Sequence, residues 1–415
     1  MSSAPASLSE PHVLAHTKRR LFPEADAPGT YAVVDTQFAT DRWLETEPIA
    51  ESVRETLAPF NRVDLGGGYP DLVGVGRLES DLLAVDRLGK TPPLVAVEAK
   101  GYTAGGGVDT HRGIVQAYER LHEANAVYLA APLEAISQTD RTLARELNVG
   151  VLGVSAAGQV SALETPRVVG ARSTTDANAI RFQASAQGVT DQSFGLNHPK
   201  NYLGYPLAHV LEEPTADALA AYRVVGAVDE ARRGAAFLGL VAETSTGPEL
   251  TPLGREVVRF GVRHHGSARA ALETFADWYR SRKRFVELAP AWGELARRVV
   301  FAYPATELLV GELEALHADG VAEPTLVDLV EYLHVLHPTF TIELFVRGTE
   351  AARRRALDTN GDLRREALAD GEIYHSPTVF QLKAMLYHAG ILTDRGAEPH
   401  RLEPAEDVWA LRERV

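Results

Sequence analysis

The sequence predicts an α/β N-terminal domain followed by a mainly helical region. Three observations lead there. From Tyr31 to about Pro166, short apolar runs alternate with amphipathic stretches, the pattern of strands interleaved with helices. From Pro214 onward helical periodicity dominates. The chain has 415 residues, 45% hydrophobic and 24% charged, enough apolar material for two or more cores.

Residues 1–30 are rich in Ala, Ser and Pro, and are expected to form a flexible lead-in with one short helix near His16–Leu21. The domain over 31–170 starts with a helix from about Pro48 to Phe60, with Pro48 in the first turn and Thr46 as its cap. Strands are expected at Asp71–Val75, Asp81–Val85 and Leu94–Val97. A helix at Thr110–Ala124 and a strand at Ala126–Ala130 follow. A helix at Thr139–Leu147 and strands at Val149–Val154 and Gln159–Leu163 close the domain. Residues 171–213 turn polar and aperiodic and read as a connector. Two later stretches, Phe237 to Gly261 and His375 to Pro404, resemble winged helix-turn-helix units, in which a helix runs into a short hairpin. Ser376-Pro377 is a helix-start pair and Gly390 a left-handed helix end. These place winged-helix-like modules at 214–265 and 341–415, flanking a helical region at 266–340.

Composition excludes several functions. The chain has no cysteine, so disulfides, thiolate catalysis and Cys-ligated zinc are absent. No apolar run is long enough to span a bilayer, and the start lacks a secretory pattern. No membrane partner and a cytoplasmic location are therefore expected. Net charge is −14, from 42 basic and 56 acidic residues, which confines any phosphate contact to local patches. The basic residues are 36 Arg against 6 Lys, the type suited to bidentate phosphate contacts. From Asn201 to the end, 24 basic residues face 32 acidic ones.

The stretch that carries chemistry is Ser80 to Thr103, SDLLAVDRLGKTPPLVAVEAKGYT. Two β-rich runs flank a turn near Gly89-Lys90, and a hairpin centred there sets Asp81 opposite Glu98. Lys100, two residues beyond Glu98, projects to the same side. Leu94 to Val97 is apolar on both faces, so charges continuing that strand need a function or a partner. Paired carboxylates favour a hard divalent cation, Mg²⁺ or Mn²⁺, and a lysine beside them can orient water or offset developing charge.

Asp81, followed 17 residues later by Glu98-Ala99-Lys100, resembles the signature of the PD-(D/E)xK nuclease superfamily. The resemblance covers about a third of the chain. It implies a restriction-endonuclease-like domain in which Asp81 and Glu98 bind the metal and Lys100 assists the nucleophile. It also implies an acid from the first helix, for which Glu51 is the candidate and Glu47 the alternative. Asp71, in the literal Pro70-Asp71, is the alternative to Asp81, at the cost of making DLLAV an inserted strand. The Gln-x-x-x-Tyr pair of many members is partly met: Gln116 is followed by Arg120 at the fourth position, with the tyrosine at Tyr118.

The implied activity is metal-dependent phosphodiester hydrolysis, on DNA rather than RNA, in restriction, defence or repair. Cutting both strands would call for a homodimer. The alternative is a non-catalytic DNA-binding regulator that retains the nuclease-like fold.

Other features read as structural. Gly66–Gly68 and Gly105–Gly107 lack the Gly-Lys-Ser/Thr ending of a phosphate loop and read as mobile loops. His334 and His337 with Glu331, and the adjacent His264-His265, read as exposed or packed histidines. Arg280–Arg284, between Tyr279 and Phe285, is the densest basic and aromatic patch and suits a phosphate backbone as well as it suits a helix end. Arg353–Arg355 reads as a solvated face.

Overall fold

The computed structural model describes residues 8–23, 29–43, 47–84, 92–103, 105–170, 174–186, 195–244, 247–278, 283–358 and 362–412. The chain forms two units: residues 1–188 with 334–363, and residues 189–333 with 364–415.

The first unit opens with α1 (Glu10–Leu21). Pro11 sits in its first turn, Glu10 at its positive end, and Lys18, Arg19 and Arg20 at its negative end. β1 (Tyr31–Val34) follows, then a two-residue ladder of β2 (Arg42–Trp43) and β3 (Glu47–Pro48), then α2 (Glu51–Leu57). Next come β4 (Leu72–Val75), β5 (Leu94–Ala99), α3 (Thr110–Glu119), β6 (Ala126–Pro132), α4 (Gln138–Glu146), β7 (Gly150–Val154), β8 (Val160–Glu164) and α5 (Thr175–Ala186).

The six-stranded sheet has the order β1-β4-β5-β6-β7-β8. β5, β6 and β7 run parallel, and the other pairings are antiparallel. One face packs on α1 through Val13, Leu14, Val95, Val97, Tyr128 and Leu152. The other packs on α3 and α4 through Ala96, Ile114, Val127, Leu129 and Val151, and on α5 through Val73, Leu94 and Ile180. Cover on both faces explains why the central strands are unbroken apolar runs. Each fully buried leucine or valine contributes about 1.5–3 kcal/mol.

The expectations at 94–164 hold closely, because those elements are strongly periodic and well capped. Asp109 caps α3, and Ser137 with Asp140 forms a capping box on α4. Four expectations need correction. Residues 8–23 of the lead-in are not loose: α1 lies in the core, with Val13 and Leu14 fully buried. Pro48 pairs with Arg42 in a ladder instead of starting the helix, which begins at Glu51; Thr46 lies outside the described residues. Asp81–Ala84 is a turn and bend, not a strand, and Val85 and the turn at Gly89-Lys90 lie outside the described residues. Leu82 instead plugs the α1-side core while its carbonyl accepts from Tyr128 Oη at 2.6 Å. Within 171–213, expected to be an aperiodic connector, Thr175–Ala186 forms α5 and Pro199–His209 a further helix.

Helices Pro338–Phe345 and Glu350–Ala356 also belong to the first unit, so the span 341–415 is divided between the two. A buried ion pair holds them. Arg353 donates two bonds to Glu343, at 2.8 and 2.7 Å, and one to Tyr31 Oη at 2.9 Å, while Asn61 donates to Glu343 at 2.7 Å.

The second unit is built around α6 (Pro199–His209), buried on nearly every side. Such a helix shows no amphipathic stripe, and its Gly and Pro disguise it as a loop. Gly204 permits close packing, since a Cβ there would lie 2.4 Å from Val224 Cγ1. α7 (Thr215–Ala221) and α8 (Val228–Phe237) lead into the hairpin β9 (Val241–Thr244) and β10 (Gly247–Leu250), then α9 (Pro252–His265). Helix Ser376–His388 ends with Gly390 in the left-handed conformation, as its sequence predicts. No helix among the described residues is long and apolar enough to cross a membrane.

Candidate active site

Register decides which acid meets the Glu98-x-Lys100 strand. β4 pairs with β5 so that Leu72 faces Val97 and Val73 faces Ala96. Continued by one residue, this register sets Asp71 opposite Glu98, on the α3 side of the sheet. Asp71 is buried and held at both oxygens. Its Oδ2 accepts from the Ala99 amide at 2.7 Å and its Oδ1 from Gln37 Nε2 at 2.9 Å. Glu98 is 3% exposed, and Lys100 Nζ lies 4.0 Å from its Oε2. The lysine stem crosses α3 at Gly113, where a Cβ would come within 3.0 Å of Lys100 Cγ.

A third acid arrives from α1. The start of that helix lies directly on Gly101, where a Cβ would meet the Glu10 backbone nitrogen at 2.1 Å. Only glycine permits this approach. The Tyr102 amide donates to Leu8 O, and the Gly101 amide favours the ionised form of the Glu10 carboxylate. Glu10 thus sits in the field of both Lys100 and Glu98.

The charges in this cluster are strained toward neutrality. Burial raises Glu10 to about 7, with Lys100 opposing the shift and Glu98 adding to it. Burial also raises Asp71 well above the ordinary carboxylate range, and the neighbouring Glu98 raises it further. Glu98 is raised by burial too, with Arg120 and Lys100 acting against the rise.

Arg120 stands at the end of α3 and donates to Glu98 Oε1 at 3.1 Å. The turn at Gly66–Gly68 closes around it, with the Leu65 carbonyl accepting from Nη1 at 3.2 Å. A Cβ on Gly68 would come within 2.7 Å of the guanidinium. These glycines therefore form a tight clasp on Arg120, where a mobile loop is expected. On the same face of α3, between Gly113 and Arg120, the Gln116 Oε1 is buried without a hydrogen-bond partner among the described residues.

The structure thus brings together Glu98 and Lys100 with Asp71, and not with Asp81. Asp81 is exposed and forms a surface ion pair with Arg20 at 2.7 Å, because its segment turns away to cover the core. Glu51 and Glu47 are exposed on α2 and β3, and Tyr118 is exposed on α3. Sequence reasoning missed Glu10 and Arg120. The Ser9-Glu10-Pro11 helix start was the available signal for the first; the arginine in the tyrosine's place was the signal for the second.

Among the other singled-out residues, His265 accepts from Trp292 Nε1 at 3.1 Å and His264 packs on Phe260, as packed histidines do. Arg353 is buried, contrary to the solvated face expected of it. Arg280 to Arg282 lie outside the described residues; Arg284 donates to Glu287 at 2.8 Å.

Two repelling buried carboxylates offer hard oxygen donors, which fit a small divalent cation in chemistry. In the present side-chain arrangement, no three such residues among those described stand close enough to hold one. Comparison of the chain with family models, with curated proteins and with solved structures returns no match.

Proposed function

We propose that the first unit is a metal-dependent nuclease of restriction-endonuclease-like fold, acting on DNA. One observation carries the reading: Asp71, Glu98 and Lys100 meet at one end of the sheet, with Glu10 of α1 beside them. The order α1, β1, β4, β5, α3, β6 supports it, since the PD-(D/E)xK resemblance implies helix, three strands, helix, strand. In this reading β2, β3 and α2 are an insertion between the first two strands.

Asp71 and Glu98 would hold Mg²⁺ or Mn²⁺. Such a cation, when bound, lowers the pKa of water and offsets negative charge on the phosphodiester. The chain's own groups do the rest. Lys100 donates to the attacking water or to the phosphate oxygen on which charge grows. Glu10, poised near neutrality, takes up or releases a proton at its carboxylate at working pH. The Asp71–Ala99 bond holds the carboxylate in place before substrate arrives.

The helix-hairpin-helix run α8, β9, β10 and α9 supports a winged-helix-like module that presents DNA, and helix Ser376–His388 a second. Cutting both strands would require two sites, which a homodimer supplies.

A second reading, a DNA-binding protein retaining a silent nuclease fold, is favoured by the Arg120–Glu98 ion pair. That pair neutralises one of the two metal-holding carboxylates. A cleavage assay on single-stranded, duplex and branched DNA and on RNA, with Mg²⁺ or Mn²⁺, separates the two. Cutting lost in Glu98→Ala and Lys100→Ala supports the nuclease. Salt-dependent DNA binding without cutting supports the second reading.

A further inference from the structure

Beside the candidate active site the first unit has a cleft of about 270 Å³, lined by Arg62, Asp64, Tyr69, Asp176 and His337 among others. It adjoins the site through neighbours in the chain. Thr36 lines the cleft, while its neighbours serve Asp71: the Asp35 amide donates to the Asp71 carbonyl, and Gln37 donates to the Asp71 carboxylate. Tyr69, on the rim, is two residues from Asp71 in the chain.

The polar groups of the lining are sorted, beside the apolar Leu336, Pro338 and Leu357. At the rim, the Arg62 guanidinium lies 4.0 Å from the centre of the Tyr69 ring, and Tyr69 is 42% exposed. A planar cation stacked on an aromatic ring is a platform for a flat ligand and a counter-charge for a phosphate. Two carboxylates line the same cleft: exposed Asp64, and half-buried Asp176, which α5 carries; Thr339, also in the lining, donates its hydroxyl to the Arg62 carbonyl at 3.0 Å. Carboxylates repel phosphate but accept hydrogen bonds from an amine. The volume sits at the small end of ligand pockets, the scale of one ring system and not of a duplex.

We infer that this cleft receives one unstacked nucleobase bearing an exocyclic amino group, cytosine fitting best, from the strand whose phosphate lies at Glu98 and Lys100. The amino group meets Asp176 or Asp64, the pairing by which carboxylates read cytosine N4. Thymine would turn a carbonyl toward the same carboxylates. The base stacks at Tyr69, and Arg62 takes the adjoining phosphate. This rests on the nuclease reading for the position of the phosphate. It specifies the substrate further, as single-stranded or locally unpaired DNA.

The test is fluorescence anisotropy of labelled short oligo(dC) and oligo(dT), without divalent cations and above neutral pH, followed by cleavage of the same strands with Mg²⁺. Oligo(dC) should bind about tenfold or more tighter than oligo(dT). Asp176→Ala together with Asp64→Ala should erase that preference and leave oligo(dT) binding intact. Tyr69→Ala should weaken both about 5- to 150-fold. Denaturant midpoints matching wild type would show that the variants fold. Equal affinity for the two strands, no binding of either, or variants that bind as wild type would each overturn the inference. Cleavage without base preference overturns the cleft alone and leaves the nuclease standing. Base-selective binding with no cleavage under any metal upholds the cleft and overturns the nuclease.

Discussion

Asp71 Oδ2 accepts a 2.7 Å hydrogen bond from the amide of Ala99, so the strand that carries Glu98 and Lys100 also orients the carboxylate facing them. Both carboxylates are buried, and their mutual repulsion is contained by Lys100 on one side and Arg120 on the other. With Glu10, three carboxyl groups stand beside these two cations, and burial shifts all three toward the neutral form.

Asp71→Asn and Asp81→Asn should therefore behave oppositely. The first removes a carboxylate from the cluster, and cleavage should fall by about 10²–10⁴. The second breaks only an exposed pair with Arg20, and should leave cleavage unchanged with a stability loss of about 0–1 kcal/mol. Initial rates on one DNA substrate, with denaturation curves for both variants, check this. Equal losses would place Asp81 in the site.

Glu10 links the cluster to pH. Its folded-state pKa, about 7, lies above its ordinary value of 4.5. The folded state thus binds more protons between those values, and stability from this group is full below pH 4.5 and lost as pH rises through 7. The slope should be on the order of 1 kcal/mol per pH unit. Glu10→Gln should flatten that part of the curve and stabilise the protein at alkaline pH. Urea midpoints across the range, for wild type and variant, measure it. A variant curve parallel to wild type would contradict the burial of this carboxylate.

The second unit should lose stability in acid for the opposite reason. His198 and His388 are buried with ring centres 4.6 Å apart, and burial lowers them to about 2 and about 3. Both stay neutral when folded but take protons when unfolded below pH 6.5, so their stability is present above 6.5 and lost as pH falls. Each contributes a slope of about 1.4 kcal/mol per pH unit. His388→Asn, which keeps an acceptor for the Phe285 amide, should remove about half of the acid slope. Thermal unfolding between neutral and mildly acidic pH would show it.

The Arg353–Glu343 pair predicts asymmetry between breaking and replacing. Glu343→Gln leaves a fully buried guanidinium without its carboxylate and should cost about 3–5 kcal/mol. Replacing both, as Arg353→Met with Glu343→Leu, should cost much less, since no charge is then stranded. A double-mutant cycle in denaturant gives the coupling energy. Equal losses in the single and the double variant would mean that the pair contributes only packing volume.

The sequence by itself determined the α/β order from β5 to β8 and the Glu98-x-Lys100 strand, because periodicity is a local property. Only the tertiary structure decided the partner of that strand. The apolar run of DLLAV suits a hairpin strand, yet Leu82 covers the α1-side core, and β4 takes the place beside β5. The same holds for α1, whose Ala-, Ser- and Pro-rich approach looks loose until Gly101 gives it a surface to rest on. Arg353 looks solvated until Glu343 and Tyr31, the latter 322 residues away, neutralise and bond it. A residue's own pattern records which of its faces is apolar. Which distant neighbour covers that face, or compensates that charge, is settled by burial summed over the whole sheet.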